Sequence, residues 1–341
     1  MLDARSLLDW YDKRARDLAW RVSPSERARG ERPEPYRVWL SEIMLQQTTV
    51  VVVGGYFGRF LDRWPTINHL ASAELDEVLV AWAGLGYYAR ARNLHACAKH
   101  IVEKLNGVFP SSSKDLQSLP GIGPYTASAI AAICHDEMIA VVDGNVDRVV
   151  ARLLALEIPV REAKNQIREA VQSVVPARAG DFAQAMMDLG SGICAPRAAD
   201  CPSCPIKQGC NGAATGVPTN YPVKGAKAQR PVRFGHAFVV ERDDGAVWLR
   251  KRADTGLLAS MTEVPGSQWL PEKTAPEFPF NAKWRADGHV THVFTHFRLE
   301  LDIWKTRKNL DLPTSDGWWC LPRDFEQEAL PSLFRKVLAF T

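Results

Sequence analysis

The spacing of apolar residues changes once along this 341-residue chain, and that change dictates two folded parts of different kinds. Up to about residue 210 they recur at i, i+3, i+4 and i+7, the period of a helix with one buried face. Segments such as PYRVWLSEIMLQQTTVVVVGGYFGRFLDRW and AELDEVLVAWAGLGYYARARNLHACAKHIVEKL predict successive helices. Breaks are expected at Gly54-Gly55, Pro65, the Gly84-Leu85-Gly86 turn and Gly107. The β-branched run Val50–Val53 continues a helical face. Residues 213–231, rich in Gly, Pro, Ala and Thr and without periodicity, read as a linker. Beyond them the period falls to two. Val232–Val240 alternates, ERDDG supplies a hairpin turn, Ala246–Arg250 returns, and Val293–Trp304 alternates again. Asp324–Phe340 reads as a terminal helix. The fold class is therefore multidomain, with an all-α domain over 1–212 and a smaller α+β domain over 232–341.

Composition narrows the partners only a little. Apolar residues make up 46% and charged residues 24%, which excludes a disordered chain. The net charge is +3, with 25 basic against 24 acidic residues through residue 225 and 17 against 15 after it. Neither part carries the strongly basic footprint usual for nucleic-acid binders. Local charge says more, because residues 78–102 contain no acid but do contain Arg90, Arg92 and Lys99. The N-terminal stretch mixes charges with apolar residues and lacks the core of a signal peptide. No later window reaches the ~18–20 apolar residues of a membrane span. The expectation is an intracellular, cytoplasmic protein with no targeting segment.

Four of the seven cysteines lie within seventeen residues, as Cys194-x6-Cys201-x2-Cys204-x5-Cys210. An odd total with one tight cluster argues for a reducing compartment and a metal site. Thiolates suit zinc and iron–sulfur clusters alike. One Cys-x2-Cys knuckle between two longer arms differs from the paired knuckles of a zinc ribbon and favours a [4Fe–4S] cluster.

Leu119-Pro120-Gly121-Ile122-Gly123-Pro124-Tyr125-Thr126-Ala127 joins two apolar helical stretches. Gly121 and Gly123 permit a tight turn and let backbone N–H groups approach a phosphate. Pro124 suits the first turn of the helix that follows. With its flanking residues the segment matches the helix-hairpin-helix DNA-binding motif.

Downstream, Asp143 sits where a helix would begin, in Val141-Val142-Asp143-Gly144-Asn145-Val146-Asp147. Aspartate there serves equally as a helix cap. Glycosidic bond cleavage, however, needs an anion beside the developing oxocarbenium ion and an acid for the leaving group. Glu42, a lone acid on an apolar stretch, is the candidate acid, since burial would raise its pKa. A solvent-facing helical glutamate fits the same spacing.

The hairpin, the downstream aspartate and the cysteine loop together resemble the endonuclease III superfamily of DNA glycosylases. Ser41-Glu42 followed by Leu45-Gln46-Gln47-Thr48, with Gly84-Leu85-Gly86-Tyr87-Tyr88-Ala89-Arg90, resembles its adenine DNA glycosylase branch. The resemblance implies base-excision repair of adenine opposite 8-oxoguanine or guanine in duplex DNA. In that scheme Glu42 protonates the adenine and Asp143 stabilises the sugar cation, with Tyr125 and Asn145 hydrogen-bonding around the pair. Gln47, Thr48, Leu85, Tyr87, Gly121, Gly123 and Arg90 would contact DNA, and Arg21 and Asp188 would read the adenine edge. The four clustered cysteines would ligate a [4Fe–4S] cluster, and the chain would act as a monomer. Bifunctional relatives carry a hairpin lysine where this chain has Tyr125, so strand cleavage is not expected.

Two features depart from the branch. Ala19-Trp20-Arg21 replaces the usual Pro-Trp-Arg, and residues 23–34 are longer than typical. The C-terminal part resembles a Nudix-like module but lacks the acid-rich helix that binds magnesium in Nudix hydrolases. Phe294-Thr295-His296 matches the branch's lesion-sensing turn, with Thr in place of Ser, and reads equally as part of a strand. The rivals are an endonuclease III-type pyrimidine glycosylase and lyase, and a lesion sensor without activity; nucleotide pyrophosphohydrolase activity falls with the missing metal helix.

Overall fold

A computed structural model of the chain describes residues 2–225, 229–307 and 317–340. Positions 226–228 of the linker and 308–316 of the C-terminal part lie outside the described residues. The chain divides into two compact units, Met1–Ser72 with Asn93–Ala226 and Ala73–Arg92 with Lys227–Thr341. Ala73–Arg92, which the periodicity places in the all-α part, thus groups with the second unit.

The first unit is built around the helix Ala179–Ser191, buried from Ala179 through Gly190. It packs against the helices Ala4–Arg14, Pro124–His135 and Gly144–Leu154. The approach to the last is close because Gly190 has no side chain: a Cβ there would lie 2.7 Å from that of Asn145. The expected break at Gly54-Gly55 does not occur, for the helix Val50–Arg63 runs straight through it. Thr49 caps its first turn by accepting from Val52 N–H. Val53, Phe57 and Phe60 form its buried face, while both glycines face solvent. Glycine there costs only about 1 kcal/mol each in helix propensity, less than burial of that face returns. The interruption falls instead at Gln46–Thr49, where Gln47 takes a left-handed φ of 58°.

In the second unit a sheet is formed by β1 (Val232–Glu241), β2 (Val247–Lys251), β3 (Thr262–Glu263), β4 (Arg285–Val293), β5 (Arg298–Arg307) and β6 (Gly317–Cys320). Its order is β3-β2-β1-β5-β4, with β6 also paired to β2. β1 pairs antiparallel with β2 and parallel with β5. The alternation read in Val232–Val240 does not describe this strand, because residues 235–240 are all buried. A central strand has both faces covered. The Val293–Trp304 strand is likewise two strand ends and a turn. β4 stops at Val293, Phe294 N–H donates to Phe297 C=O at 2.9 Å, and β5 starts at Arg298. Alternation holds within β5, where Leu299, Leu301 and Ile303 point into the core. The terminal helix is shorter than expected: a 3-10 turn, Pro322–Gln327, is separated from the helix Ser332–Leu338 by Pro331. Proline keeps the residue before it out of helical geometry. No helix among the described residues is long and apolar enough to cross a membrane.

The β4–β5 hairpin carries a cross-strand clamp. His289 bonds Glu300 at 2.6 Å and Asp302 at 2.7 Å, and Thr291 Oγ1 donates to Glu300 at 2.7 Å. Hydrogen bonds to Glu300 and Asp302 raise the His289 pKa. A raised histidine pKa contributes stability present below the unfolded value and lost as pH rises through the folded one. Thermal stability is therefore expected to fall as pH rises through and beyond the ordinary histidine range. His289→Gln should flatten that dependence in a melting series.

Candidate active site and cysteine loop

Glu42 lies on the helix Pro35–Leu45, whose first turn is capped by the Glu34 carboxylate accepting from Tyr36 and Arg37 N–H. The solvent-facing alternative is excluded, because Glu42 is only 6% exposed. Tyr125 Oη donates to Glu42 Oε2 at 2.9 Å. Burial pushes the Glu42 carboxyl up to about 7, and Asp143 adds to the rise, while Tyr125 and Arg21 oppose it. The Tyr125 hydroxyl is itself raised well above its usual range by burial and the two nearby acids, so it remains a donor.

Asp143 is indeed a helix cap. Its Oδ1 accepts from Asn145 N–H at 2.9 Å and Val146 N–H at 2.8 Å, and its Oδ2 accepts from Asn145 Nδ2 at 2.8 Å. Capping leaves it at a cavity wall. Asp143, Glu42, Tyr125 and Asn145 all line one cavity of about 600 Å³ in the first unit. Arg21, Gln47 and Thr48 line it too.

Asp188 does not line this cavity; it lies behind Arg21. Arg21 Nη1 donates to Asp188 Oδ2 at 2.8 Å and Arg16 Nε to Oδ1 at 2.6 Å. Both oxygens are thereby engaged, and the buried acid fixes two guanidinium groups, of which Arg16 also lines the cavity. The Lys13–Arg16 region gave no sequence signal for Arg16. The long segment 23–34 is anchored rather than loose. Its helix Pro24–Ala28 has a capping box, and buried Arg27 donates to Ile133 C=O at 3.0 Å and pairs with Asp136 at 2.5 Å.

The hairpin forms as expected, with the helix Pro124–His135 opening at Pro124. Gly121 has φ 72°, and a Cβ there would lie 2.5 Å from that of Asn93. Gly123 has open space where a Cβ would point.

The second unit holds Leu85, Tyr87, Arg90 and the Phe294–Thr295–His296 turn. Leu85 is 5% exposed, whereas Tyr87 is 48% exposed and left-handed at φ 50°. Arg90 clamps this turn: its Nη2 donates to the carbonyls of Leu85 and Gly86 at 3.1 Å. Its guanidinium also sits 5.6 Å from the Tyr87 ring centroid. Thr295 Oγ1 donates to Tyr87 Oη at 3.1 Å, joining the two turns. Phe294, Thr295 and His296 form a hairpin turn, with Thr295 and His296 exposed.

Cys194, Cys201, Cys204 and Cys210 line a small cavity of their own. Buried Arg152 organises the loop, donating to Cys194 C=O at 3.0 Å, Ala195 C=O at 2.8 Å and Cys194 Sγ at 3.2 Å. Arg148, one turn earlier, donates to the same Cys194 carbonyl at 2.9 Å. The i, i+4 spacing of these arginines on one helix was the signal available in sequence. No group of three or more His, Cys, Asp or Glu among the described residues is gathered as one metal ion requires.

A helical unit that carries this hairpin and a cavity lined by both Glu42 and Asp143 fits the class of base-excision DNA glycosylases. Residues 40–177 match the HhH-GPD superfamily of base excision DNA repair proteins, and residues 236–340 match the NUDIX domain. The chain belongs to the adenine DNA glycosylase family. It is 33% identical to the adenine DNA glycosylase of Rattus norvegicus, over 98% of this chain and 76% of that protein. It is 40% identical to that of Arabidopsis thaliana, over 98% of this chain and 63% of the relative. Among solved structures, a thermostable thymine-DNA glycosylase matches at TM-score 0.54 and 24% identity, covering 62% of this chain and 95% of its own. A non-covalent endonuclease III–DNA complex matches at TM-score 0.50 and 22% identity, covering 63% and 99%. These two likenesses concern the helical fold alone.

Proposed function

We propose that this enzyme releases adenine paired with 8-oxoguanine or guanine in duplex DNA, without cutting the strand. The observation that carries the reading is Glu42, buried, hydrogen-bonded by Tyr125 and held near 7 in the cavity that Asp143 lines. A carboxylic acid poised near neutrality suits general acid work. Glu42 gives its proton to adenine N7, and the C1′–N9 bond breaks with its electron pair leaving on the base. Asp143 stabilises the oxocarbenium-like sugar, water adds at C1′, and its proton returns to the site. Asn145 holds the Asp143 carboxylate in place. The base must first leave the stack, and the open cavity beside Gln47 and Thr48 accepts it. Arg21 reads the adenine edge, and Asp188 positions Arg21. Among the described residues no lysine lines the cavity, which supports hydrolysis over Schiff-base chemistry.

The hairpin amides at Gly121 and Gly123 receive strand phosphate, and Tyr87 enters the duplex, with Leu85 packing behind it and Arg90 holding its turn. The domain over 232–341, joined by the 213–231 linker to the glycosylase domain over 1–212, reads the opposing 8-oxoguanine through Phe294, Thr295 and His296. The chain between β3 and β4 forms no helix, so nothing there resembles a magnesium-binding helix. The four cysteine sulfurs around one cavity, with Arg152 donating to one of them, fit a [4Fe–4S] cluster that Cys194, Cys201, Cys204 and Cys210 would hold. Such a cluster supplies a thiolate-ligated cross-link for the loop. The protein acts as a monomer in the cytoplasm.

The deciding assay uses duplexes with adenine opposite 8-oxoguanine, adenine opposite guanine, and thymine glycol, each with and without alkali. Adenine strands should break only after alkali. Adenine strands that survive alkali, with thymine glycol cut directly, would assign the protein to the pyrimidine lyases. A second test concerns Gln47, whose left-handed backbone costs about 1 kcal/mol that glycine would not incur. Gln47→Gly should leave melting temperature unchanged or higher while weakening duplex binding; unchanged binding would remove Gln47 from the DNA contact.

A further inference from the structure

The second unit carries a cavity of about 400 Å³ at the end of its sheet where β4 begins and β5 ends, lined by Lys283, Arg285, Lys305, Thr306 and Arg307. All but Thr306 are cationic, and among the described residues no acid lines it. Two acids stand close by. Glu241 pairs with buried Lys305 at 2.8 Å and lies 3.8 Å from Arg307, and Asp287 pairs with Arg285 at 3.1 Å. Thr306 Oγ1 donates to Lys283 C=O at 3.2 Å, which holds the segment before β4 against the end of β5. Two carboxylates against four cations leave an excess of two positive charges, and a concave surface concentrates their field.

Position on the sheet decides which polyanion fits. Antiparallel pairing sets Arg285 opposite Lys305 at this end, and Val293 opposite Arg298 at the other, beside the Phe294–Thr295–His296 turn. At ~3.3 Å per residue, the length of β4 separates the cavity from that turn by roughly 25 Å. Asp287, Glu300 and Asp302 stand on the hairpin between the two ends. A duplex running from the turn to the cavity would therefore carry its phosphates past three carboxylates. A short peptide has no such track to follow. Its carboxylates can reach Lys283 and Arg307, both exposed, while its other side chains stay in water.

We propose that this cavity docks an acidic segment of a partner protein, with Lys283 and Arg307 receiving its carboxylates. The probe is a fluorescein-labelled oligoglutamate peptide, bound to the full chain at low salt and followed by anisotropy. Saturable binding is expected, and it should weaken as salt rises. Replacing both exposed cations, Lys283→Gln with Arg307→Gln, should weaken it about tenfold. Both side chains face solvent, so the double variant keeps its fold, which an unchanged melting temperature verifies. It should also bind a duplex with adenine opposite 8-oxoguanine as tightly as the wild type does. Absence of saturable peptide binding, or binding indifferent to the double substitution, would overturn the proposal. So would an equal weakening of the duplex, which would assign the cavity to nucleic acid.

Discussion

Replacing Glu42 by Gln is expected to slow adenine release by roughly 10²–10⁴-fold while making the fold more stable at neutral and alkaline pH. Both effects come from the same burial. In water the carboxyl would lose its proton near 4.5, but inside the cavity it does so at about 7. The folded state therefore binds a proton that the unfolded chain releases between those values. Stability falls as pH rises from 4.5 to 7 and levels off above it. The full difference is on the order of 3 kcal/mol for this one group. Glutamine keeps an oxygen for the Tyr125 hydroxyl and has no charge to bury. Denaturant unfolding at pH 5 and pH 8 should show the two proteins nearly equal at the lower pH and the variant ahead at the higher. The wild-type single-turnover rate should also fall about tenfold per pH unit above 7. An equal stability difference at both pH values would mean that Glu42 titrates normally, and the acid role would fail with it.

Asp143 separates catalysis from capping in a different way. Asparagine caps helices as well as aspartate, so Asp143→Asn should keep the Asn145 and Val146 N–H bonds and melt near the wild type. Base release should nevertheless be nearly abolished, because a neutral amide cannot stabilise the sugar cation. Asp143→Ala should lose the same activity and about 1 kcal/mol of stability besides. Substantial activity in the asparagine variant would reduce Asp143 to a cap. Duplex binding should survive in both; its loss alongside activity would point to a collapsed site.

Short-range features were legible in the sequence because their causes are local. Asp143 announces a helix start, Pro124 opens a helix after a glycine turn, and four cysteines close one loop. Gly84, Gly86 and Gly121 mark turns because their positive φ values suit no bulky side chain. The structure departs from these local patterns where packing outweighs them. Gly54-Gly55 looked like a break, but the face carrying Val53, Phe57 and Phe60 held the helix together across it. Val293–Trp304 looked like one strand because alternation persists across a short hairpin, although Val293 is 54% exposed on the side the pattern would bury.

The candidate site divides along the same line. Read along the chain alone, local patterns fix the change from helical to strand periodicity, the hairpin, the cysteine cluster and the two candidate acids. Periodicity and turn chemistry depend on neighbours within a few residues, so one dimension suffices. Tertiary packing buries Glu42, brings Tyr125 from 83 positions away to donate to it, and puts it in one cavity with Asp143. It also decided that Asp188 stands behind Arg21, and that Arg152 ties the cysteine loop to its helix. A carboxyl pKa depends on which groups surround it and how much water reaches it, and those are set by packing between distant segments.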